Sequence, residues 1–135
     1  MKQNIKALKK AGAQVIIVNF HWGIEKQYTP DENQKALAHL AVDEGADLVI
    51  GHHPHVLEGI EKYNGKYICY SLGNFCFGGN STPSDTDSMI VQQTFTFNKK
   101  GKLTMVLFTE QQDRNFWRSA GHFTDVKQEK HHSLR

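Results

Sequence analysis

The chain has 135 residues, enough for about one small domain that buries its own core. Hydrophobic residues make up 39% of it and charged residues 22%, which is typical of a soluble protein and argues against extended disorder. The net charge of +2 is too small to favour a nucleic-acid partner, and no basic stripe with interleaved aromatic residues is present. The longest apolar run, residues 15–18, is short and the first residues do not form a signal peptide, so we expect a chain without a membrane segment.

The first part of the chain predicts a βαβ unit. Residues 2–11 carry apolar side chains at helical spacing between lysines and predict a first helix. Residues 14–20 are rich in β-branched side chains and predict a strand buried on both faces, and residues 48–50 predict a second buried strand. Residues 30–44 predict the helix that connects them, so the two strands should lie parallel and the crossover should be right-handed.

Local signals predict where this crossover helix begins and ends. Thr29 is suited to the N-cap, Pro30 to the first helical position, and Glu32 to closing a capping box. Gly45 follows the last residue at helical spacing and predicts the C-terminal stop.

The rest of the chain predicts antiparallel strands. Residues 64–65, Asn-Gly, predict a hairpin turn that leads into a strand over residues 67–72. Strands over residues 88–97 and 103–109, joined at residues 98–101, predict a second hairpin. The polar segment 78–87 predicts a mobile loop. The two cysteines, Cys69 and Cys76, have apolar neighbours and are predicted to be buried thiols.

Histidines follow both predicted parallel strands. His21 ends the first strand, and His53 and His55 follow the second, separated only by Pro54, which should hold His53 in extended geometry. Parallel strands end at the same sheet edge, where open α/β sheets place their ligands, and imidazole suits zinc, manganese or iron. We therefore predict a metal site; the alternative is a polar turn whose histidines only form hydrogen bonds.

Several neighbouring residues have two interpretations each. Glu25 is either the acid nearest the histidines or a solvated loop charge, and Trp22 either floors a pocket or fills core. Asn74 either contacts a metal or phosphate or satisfies its own turn. Asp47 precedes its strand and should face the opposite edge, and His39 should lie on the outer side of the helix.

Three motifs in this order resemble those of one family: His21-Trp-Gly-x-Glu25, Gly51-His-His-Pro-His-Val56 and Tyr70-Ser-Leu-Gly-Asn-Phe75. They resemble the CapA family of poly-gamma-glutamate capsule biosynthesis proteins, a branch of the calcineurin-like metallophosphoesterases. The resemblance implies an α/β fold, a β-sandwich of two mixed sheets flanked by helices, built around two divalent metal ions (Mn, Zn or Fe). It implies that His21, His53 and His55 are metal ligands. Four further residues are candidates for a cleft at this site: Trp22, Glu25, His52 and Asn74. No catalytic residue is assigned.

The early motifs of that family, which supply aspartates and an asparagine-histidine pair, have no counterpart ahead of His21. We therefore expect residues 1–110 to be the C-terminal half of such a domain, a βαβ unit followed by mainly antiparallel strands, and residues 111–135 to be an irregular extension. With only part of the ligand set, the chain alone should bind metal weakly and lack catalysis. Uncovered sheet edges should also make it self-associate.

Three functional hypotheses follow. The complete domain is a metal-dependent hydrolase acting on a phosphoester or a polymer-linked substrate, or it is a non-catalytic cell-envelope factor that binds or exports an anionic polymer such as poly-gamma-glutamate. The third hypothesis is a structural α/β fragment with incidental histidines. The resemblance also implies an extracytoplasmic or membrane-anchored location.

Overall fold

A computed structural model describes residues 1–75 and 84–113 of the chain, with side chains through residue 104. The predictions for Cys76, for residues 78–83 of the polar loop and for residues 114–135 fall outside this part. The described residues form two helices and six strands: α1 (Lys2–Lys10), β1 (Ile17–His21), α2 (Glu32–Glu44), β2 (Leu48–His52), β3 (Ile60–Tyr63), β4 (Lys66–Cys69), β5 (Ser88–Phe97) and β6 (Leu103–Asp113).

The central sheet has the strand order β1-β2-β4-β3. Strands β1 and β2 are parallel, with Ile17 opposite Leu48 at one end and His21 opposite His52 at the other. Strand β4 is also parallel to β2 and pairs antiparallel with β3, so the predicted hairpin is confirmed. The parallel pairing of the βαβ unit is confirmed as well.

The predicted burial of β1 on both faces is wrong. Val18 and Phe20 are partly buried against the core, whereas Ile17 is 46% exposed and Asn19 and His21 are exposed on the opposite face. The reason is that β1 is an edge strand and the core forms on one face only. A run of β-branched residues predicts a strand but does not say how many of its faces are covered.

The buried face of α2 builds the core with β2 and β4. Ala38, Ala41 and Val42 of the helix pack with Val49 and Ile68 of the sheet. Because alanine side chains are small, they let the helix backbone lie close to the sheet, and all five residues are buried.

The helix begins at a different cap from the one predicted. Asp31, not Thr29, is the N-cap: its carboxylate accepts from Gln34 N at 2.8 Å, and the Gln34 side chain accepts from Asp31 N at 2.9 Å. Aspartate and glutamine therefore form the reciprocal capping box, and Glu32 is the first helical residue. The predicted stop at Gly45 is confirmed by its left-handed φ of 108°.

Strands β5 and β6 form the predicted antiparallel hairpin, in a second sheet of two strands. It is joined to the end of the central sheet by a bridge between Gly73 and Ser88 and by a hydrogen bond from Met89 N to Leu72 O. The α/β class is thus confirmed, while the full two-sheet sandwich stays a prediction. Within the described ranges, neither helix is long and apolar enough to cross a membrane.

Candidate metal site

Two loops meet at the carboxyl edge of the central sheet. The loop after β1 is attached to the turn after β2 by two backbone hydrogen bonds, Trp22 N to His52 O at 3.1 Å and Lys26 N to Pro54 O at 2.8 Å. Parallel pairing brings the strand ends together, and these bonds fix how the loops continue beyond them. The predicted convergence of the two strand ends is therefore present.

The turn that carries the histidines has an unusual backbone. His53 has φ 106° and His55 has φ 60°, so the extended geometry expected for His53 is wrong. Positive φ is rare for residues with a Cβ and is concentrated at functional sites. The local preference of a residue before proline is overridden here because Pro54 is fully buried and its carbonyl accepts from Lys26 N.

Glu25, His53 and His55 form a candidate metal-binding group. One donor atom from each lies within 4.8 Å of the other two; Glu25 is exposed and the histidines are partly buried. A zinc ion about 2.0–2.2 Å from each donor would set the donors about 3–4 Å apart, so a small closing movement of this group would suffice. Two imidazoles and a carboxylate also match the ligand preferences of zinc, manganese and iron. The residues present therefore fit a divalent metal.

Asn74 fixes the orientation of His55. The distance from His55 Nδ1 to Asn74 Oδ1 is 2.7 Å, and Asn74 Nδ2 donates to the backbone carbonyl of His55 at 3.3 Å. Because the amide oxygen only accepts, Nδ1 carries the hydrogen, and in the neutral ring Nε2 then holds the lone pair that a metal requires. Asn74 thus contacts a candidate ligand in the way that outer partners contact metal-binding histidines.

The other histidines of the motifs occupy different positions. The His21 ring lies with its centroid 4.6 Å from that of His53, tilted by 46°, outside the three-residue donor group. His21 and His52 are both exposed at the ends of their strands. The ring contact with His53 places His21 next to the candidate site, and the role of His21 as a ligand stays a prediction.

Trp22 lies in the core, next to the strand ends that carry the candidate site. Its ring stacks on Phe20 with a centroid distance of 4.4 Å, and Nε1 donates to Tyr70 O at 2.9 Å. Gly51 makes this arrangement possible, because a Cβ there would overlap Tyr70 O and Trp22 Nε1. Of the two interpretations of Trp22, the structure favours core.

A buried polar pair that the sequence pattern did not predict lies next to the loops. Glu58 is 4% exposed, and its Oε2 accepts from Nε2 of the equally buried Gln34 at 2.7 Å. Burial raises the pKa of Glu58; the hydrogen bond from Gln34 opposes this shift and the charge of Asp31 adds to it. One signal was available: Gln34 shares the helical face of Ala38 and Ala41 at positions i, i+4 and i+7, which is a core face.

The prediction that His39 lies on the outer side of α2, at the surface, is wrong. His39 is half-buried, its Nε2 lies 3.0 Å from both Glu61 oxygens, and its ring stacks on Tyr63. Tyr70 OH donates to the same carboxylate at 2.6 Å. Burial alone would raise the pKa of Glu61, but the hydrogen bonds from Tyr70 and His39 outweigh it and lower that pKa. This network ties α2 to β3 and to Tyr70, the residue after β4, and contains none of the three residues of the donor group.

Asp47 lies at the opposite edge, as predicted. Its Oδ2 accepts from Ile16 N at 2.9 Å and its Oδ1 accepts from Lys66 Nζ at 2.6 Å. The carboxylate therefore closes the amino-terminal ends of the strands and has a structural role.

A mixed sheet with three parallel strands, and a histidine and carboxylate group at the carboxyl edge of those strands, defines an α/β protein with a candidate metal centre. Residues 1–79 match the family model of the bacterial capsule synthesis protein PGA_cap, and the chain belongs to this family.

Relatives of this chain include two proteins from Bacillus. The PGA biosynthesis protein CapA of Bacillus subtilis is 46% identical over 93 residues, which covers 69% of this chain and 24% of that protein. The capsule biosynthesis protein CapA of Bacillus anthracis is 44% identical over 108 residues, 78% of this chain and 26% of that protein. A probable polyglutamine synthesis accessory protein of Mycobacterium tuberculosis is 38% identical over 65 residues, 48% of this chain and 17% of that protein. The chain thus spans about a quarter of the length of its Bacillus relatives.

Proposed function

We propose that this chain contributes the histidine-bearing part of a divalent metal site to a protein of capsule or poly-gamma-glutamate biosynthesis. The observation that carries the proposal is the group of Glu25, His53 and His55, whose donor atoms lie within 4.8 Å of one another. The backbone bond from Lys26 N to Pro54 O supports it, because it joins the loop of Glu25 to the turn of the histidines. The proposed complete site holds two metal ions (Mn, Zn or Fe), with His21 as a further ligand.

The activity that we propose for the complete protein is hydrolysis of a phosphoester or of a polymer-linked substrate. A bound divalent ion supplies Lewis acidity that polarises a phosphoryl or carbonyl oxygen. In this chain, His53 and His55 would provide imidazole nitrogen donors to the ion, and Glu25 would provide a carboxylate oxygen. Asn74 accepts a hydrogen bond from Nδ1 of His55, which in the neutral ring leaves Nε2 as the nitrogen with a free lone pair.

The activity test uses a full-length protein that contains this segment and measures the turnover of an aryl phosphate with added Mn²⁺. Turnover that is lost in His53→Ala and in His55→Ala, and retained in His39→Ala, is the expected result. His39 is the matched control because its imidazole pairs with Glu61 away from the donor group. Turnover that persists in both site variants would contradict the proposal.

A second candidate function, binding of an anionic polymer, is favoured by a cluster of lysines. Gln14, just after α1, donates through Nε2 to the carbonyl of Gly101 at 2.6 Å and so brings the end of α1 to the β5–β6 turn. The lysines of these two segments are all exposed: Lys9, Lys10, Lys99, Lys100 and Lys102. Single surface charges are worth about 0–1 kcal/mol each, but several together attract a polyanion in a salt-dependent way.

Binding of soluble polyglutamate at low and high salt tests this second function. Lys10→Gln/Lys100→Gln should weaken binding roughly several-fold at low salt, because two charges leave the cluster. The control Lys35→Gln/Lys62→Gln removes two lysines from other parts of the surface. Equal weakening by both double variants would mean that only net charge matters and would refute the cluster as a site.

We also propose that the chain self-associates through β1. This strand is at the sheet edge, and its face with Ile17 and Asn19 is exposed. Sedimentation should show dimers at micromolar concentration that are lost in Ile17→Lys; a compact monomer for the wild type would count against the idea.

An extracytoplasmic or membrane-anchored location remains a further proposal, which fractionation of cells expressing the full-length protein would test.

A further inference from the structure

The buried pair of Gln34 and Glu58 lies between the two segments that carry the donor group. Gln34 Cδ, Nε2 and Oε1 lie 2.8–2.9 Å from the position that a Cβ on Gly23 would take, so the amide packs directly on the backbone of the Glu25 loop. Gly23 has φ 80°, which also favours glycine. On its other side Gln34 donates to Glu58, three residues after His55.

Both polar atoms of the Gln34 side chain, and its backbone N, have a hydrogen-bond partner. Its backbone N donates to Asp31 Oδ1, its Oε1 accepts from Asp31 N, and its Nε2 donates to Glu58 Oε2. The side chain is therefore held in one orientation by the first turn of α2. A buried glutamine fixed in this way is a rigid spacer, because any other rotamer would leave buried polar atoms without partners.

Glu58 is fixed from the other direction. Its backbone N donates to Ser71 O at 3.2 Å, and its side chain is almost fully buried. Burying a carboxyl costs free energy unless the group forms hydrogen bonds. In Glu58, Oε1 has no hydrogen-bond partner among the described residues. The hydrogen bond to Gln34 is the contact that links this carboxyl to the Glu25 loop.

We propose that Gln34 and Glu58 are positioning residues: their hydrogen bond sets the distance between Glu25 and the His53–His55 turn and thereby the affinity of that group for a divalent cation. The cation part of this inference depends on the proposed metal site. The positioning part concerns the loops themselves and is measurable in metal-free protein.

The experiment compares four variants of the whole chain in Zn²⁺ titrations. Glu58→Leu should lower Zn²⁺ affinity by about 10–100-fold, the range found when outer partners of metal ligands are removed. Glu58→Gln keeps an oxygen that accepts from Gln34 and should bind Zn²⁺ nearly as the wild type does. Val49→Ala, a core truncation in β2, is the control for general destabilisation and should leave affinity unchanged. Gln34→Asn, which withdraws the amide from Glu58, should resemble Glu58→Leu and replaces it if that variant does not fold.

A double-mutant cycle distinguishes positioning from a purely structural role. Glu25→Gln should weaken Zn²⁺ binding in the wild type but much less in Glu58→Leu, because Glu25 is already misplaced there. Additive losses, or wild-type affinity in Glu58→Leu, would overturn the proposal.

Hydrogen exchange of the Lys26 amide, measured without metal, separates this proposal from the proposed function. This amide bonds to Pro54 O and reports whether the two loops stay together. Faster exchange in Glu58→Leu than in Glu58→Gln and Val49→Ala supports positioning even if the wild type binds no Zn²⁺, in which case only the metal site fails. Equal exchange in the three variants would overturn the positioning role.

Discussion

Asn74 Oδ1 lies 2.7 Å from His55 Nδ1, and the same amide donates to the His55 backbone carbonyl. One side chain therefore fixes both the ring and the backbone of a proposed ligand. Asn74→Ala should lower Zn²⁺ affinity by about 10–100-fold, because the ring loses its fixed tautomer and orientation. Asn74→Asp keeps an acceptor and should retain most of the affinity.

Isothermal titration with Zn²⁺ measures this effect. The matched control is Asn64→Ala, which removes an exposed asparagine bonded to Asp43, remote from the donor group. If Asn74→Ala and Asn64→Ala bind Zn²⁺ equally well, Asn74 does not support a metal ligand.

Gly51, near the end of β2, should tolerate no side chain. In Gly51→Ala the new methyl would overlap Tyr70 O and Trp22 Nε1, which breaks their hydrogen bond and strains the core. We expect a loss of about 2–4 kcal/mol in the free energy of unfolding. Gly59→Ala is the control, since a Cβ there meets no atom within 4 Å. Similar unfolding midpoints for the two variants in urea would refute this account of Gly51.

Glu58 should make stability depend on pH in a specific direction. Burial raises the pKa of Glu58 in the folded state, so the folded protein holds this proton more tightly than the unfolded chain does. Stability is therefore lost as the pH rises above the unfolded pKa of about 4.3. Glu58→Gln has no proton to lose, so this variant should be more stable than the wild type at about pH 7. The difference in stability should vanish at about pH 4.

Thermal unfolding across this pH range is the measurement, with Glu32→Gln as the control for losing one exposed carboxylate; its side chain is 90% exposed. A stability gain that is the same at both ends of the pH range would contradict the assignment to Glu58.

The helix cap gives a direct contrast between sequence expectation and structure. Asp31→Ala removes the side chain that accepts from Gln34 N and should cost about 1 kcal/mol of stability. Thr29→Ala, at the position that the local sequence pattern favoured, should cost little. Chemical denaturation of both variants checks this, and a larger loss in Thr29→Ala would show that the helix begins as the sequence pattern suggested.

The parts of the fold that depend on regular patterns were predictable. Leu48, Val49 and Ile50 form a short apolar run before Gly51, and the helix before them has its own stop at Gly45. Together these signals predict two parallel strands and place the following histidines at one sheet edge. The structure confirms this placement, because it depends only on strand direction.

The parts that depend on tertiary contacts were not predictable. The positive φ of His53 follows from the contact between Pro54 and Lys26, which no local preference encodes. The sequence around Glu58 does not predict that this residue is buried, since a single charged residue in an extended segment is normally exposed. Its burial depends on Gln34, a residue 24 positions earlier in the chain.

The measurement that tests the central claim most directly is the metal content of the chain after equilibration with Zn²⁺. Elemental analysis should find about one Zn²⁺ per chain in the wild type and in His39→Ala, and none in His53→Ala/His55→Ala. His39→Ala removes a histidine of a different network and controls for non-specific imidazole binding. Equal metal in all three proteins, or none in the wild type, would contradict a metal site formed by Glu25, His53 and His55.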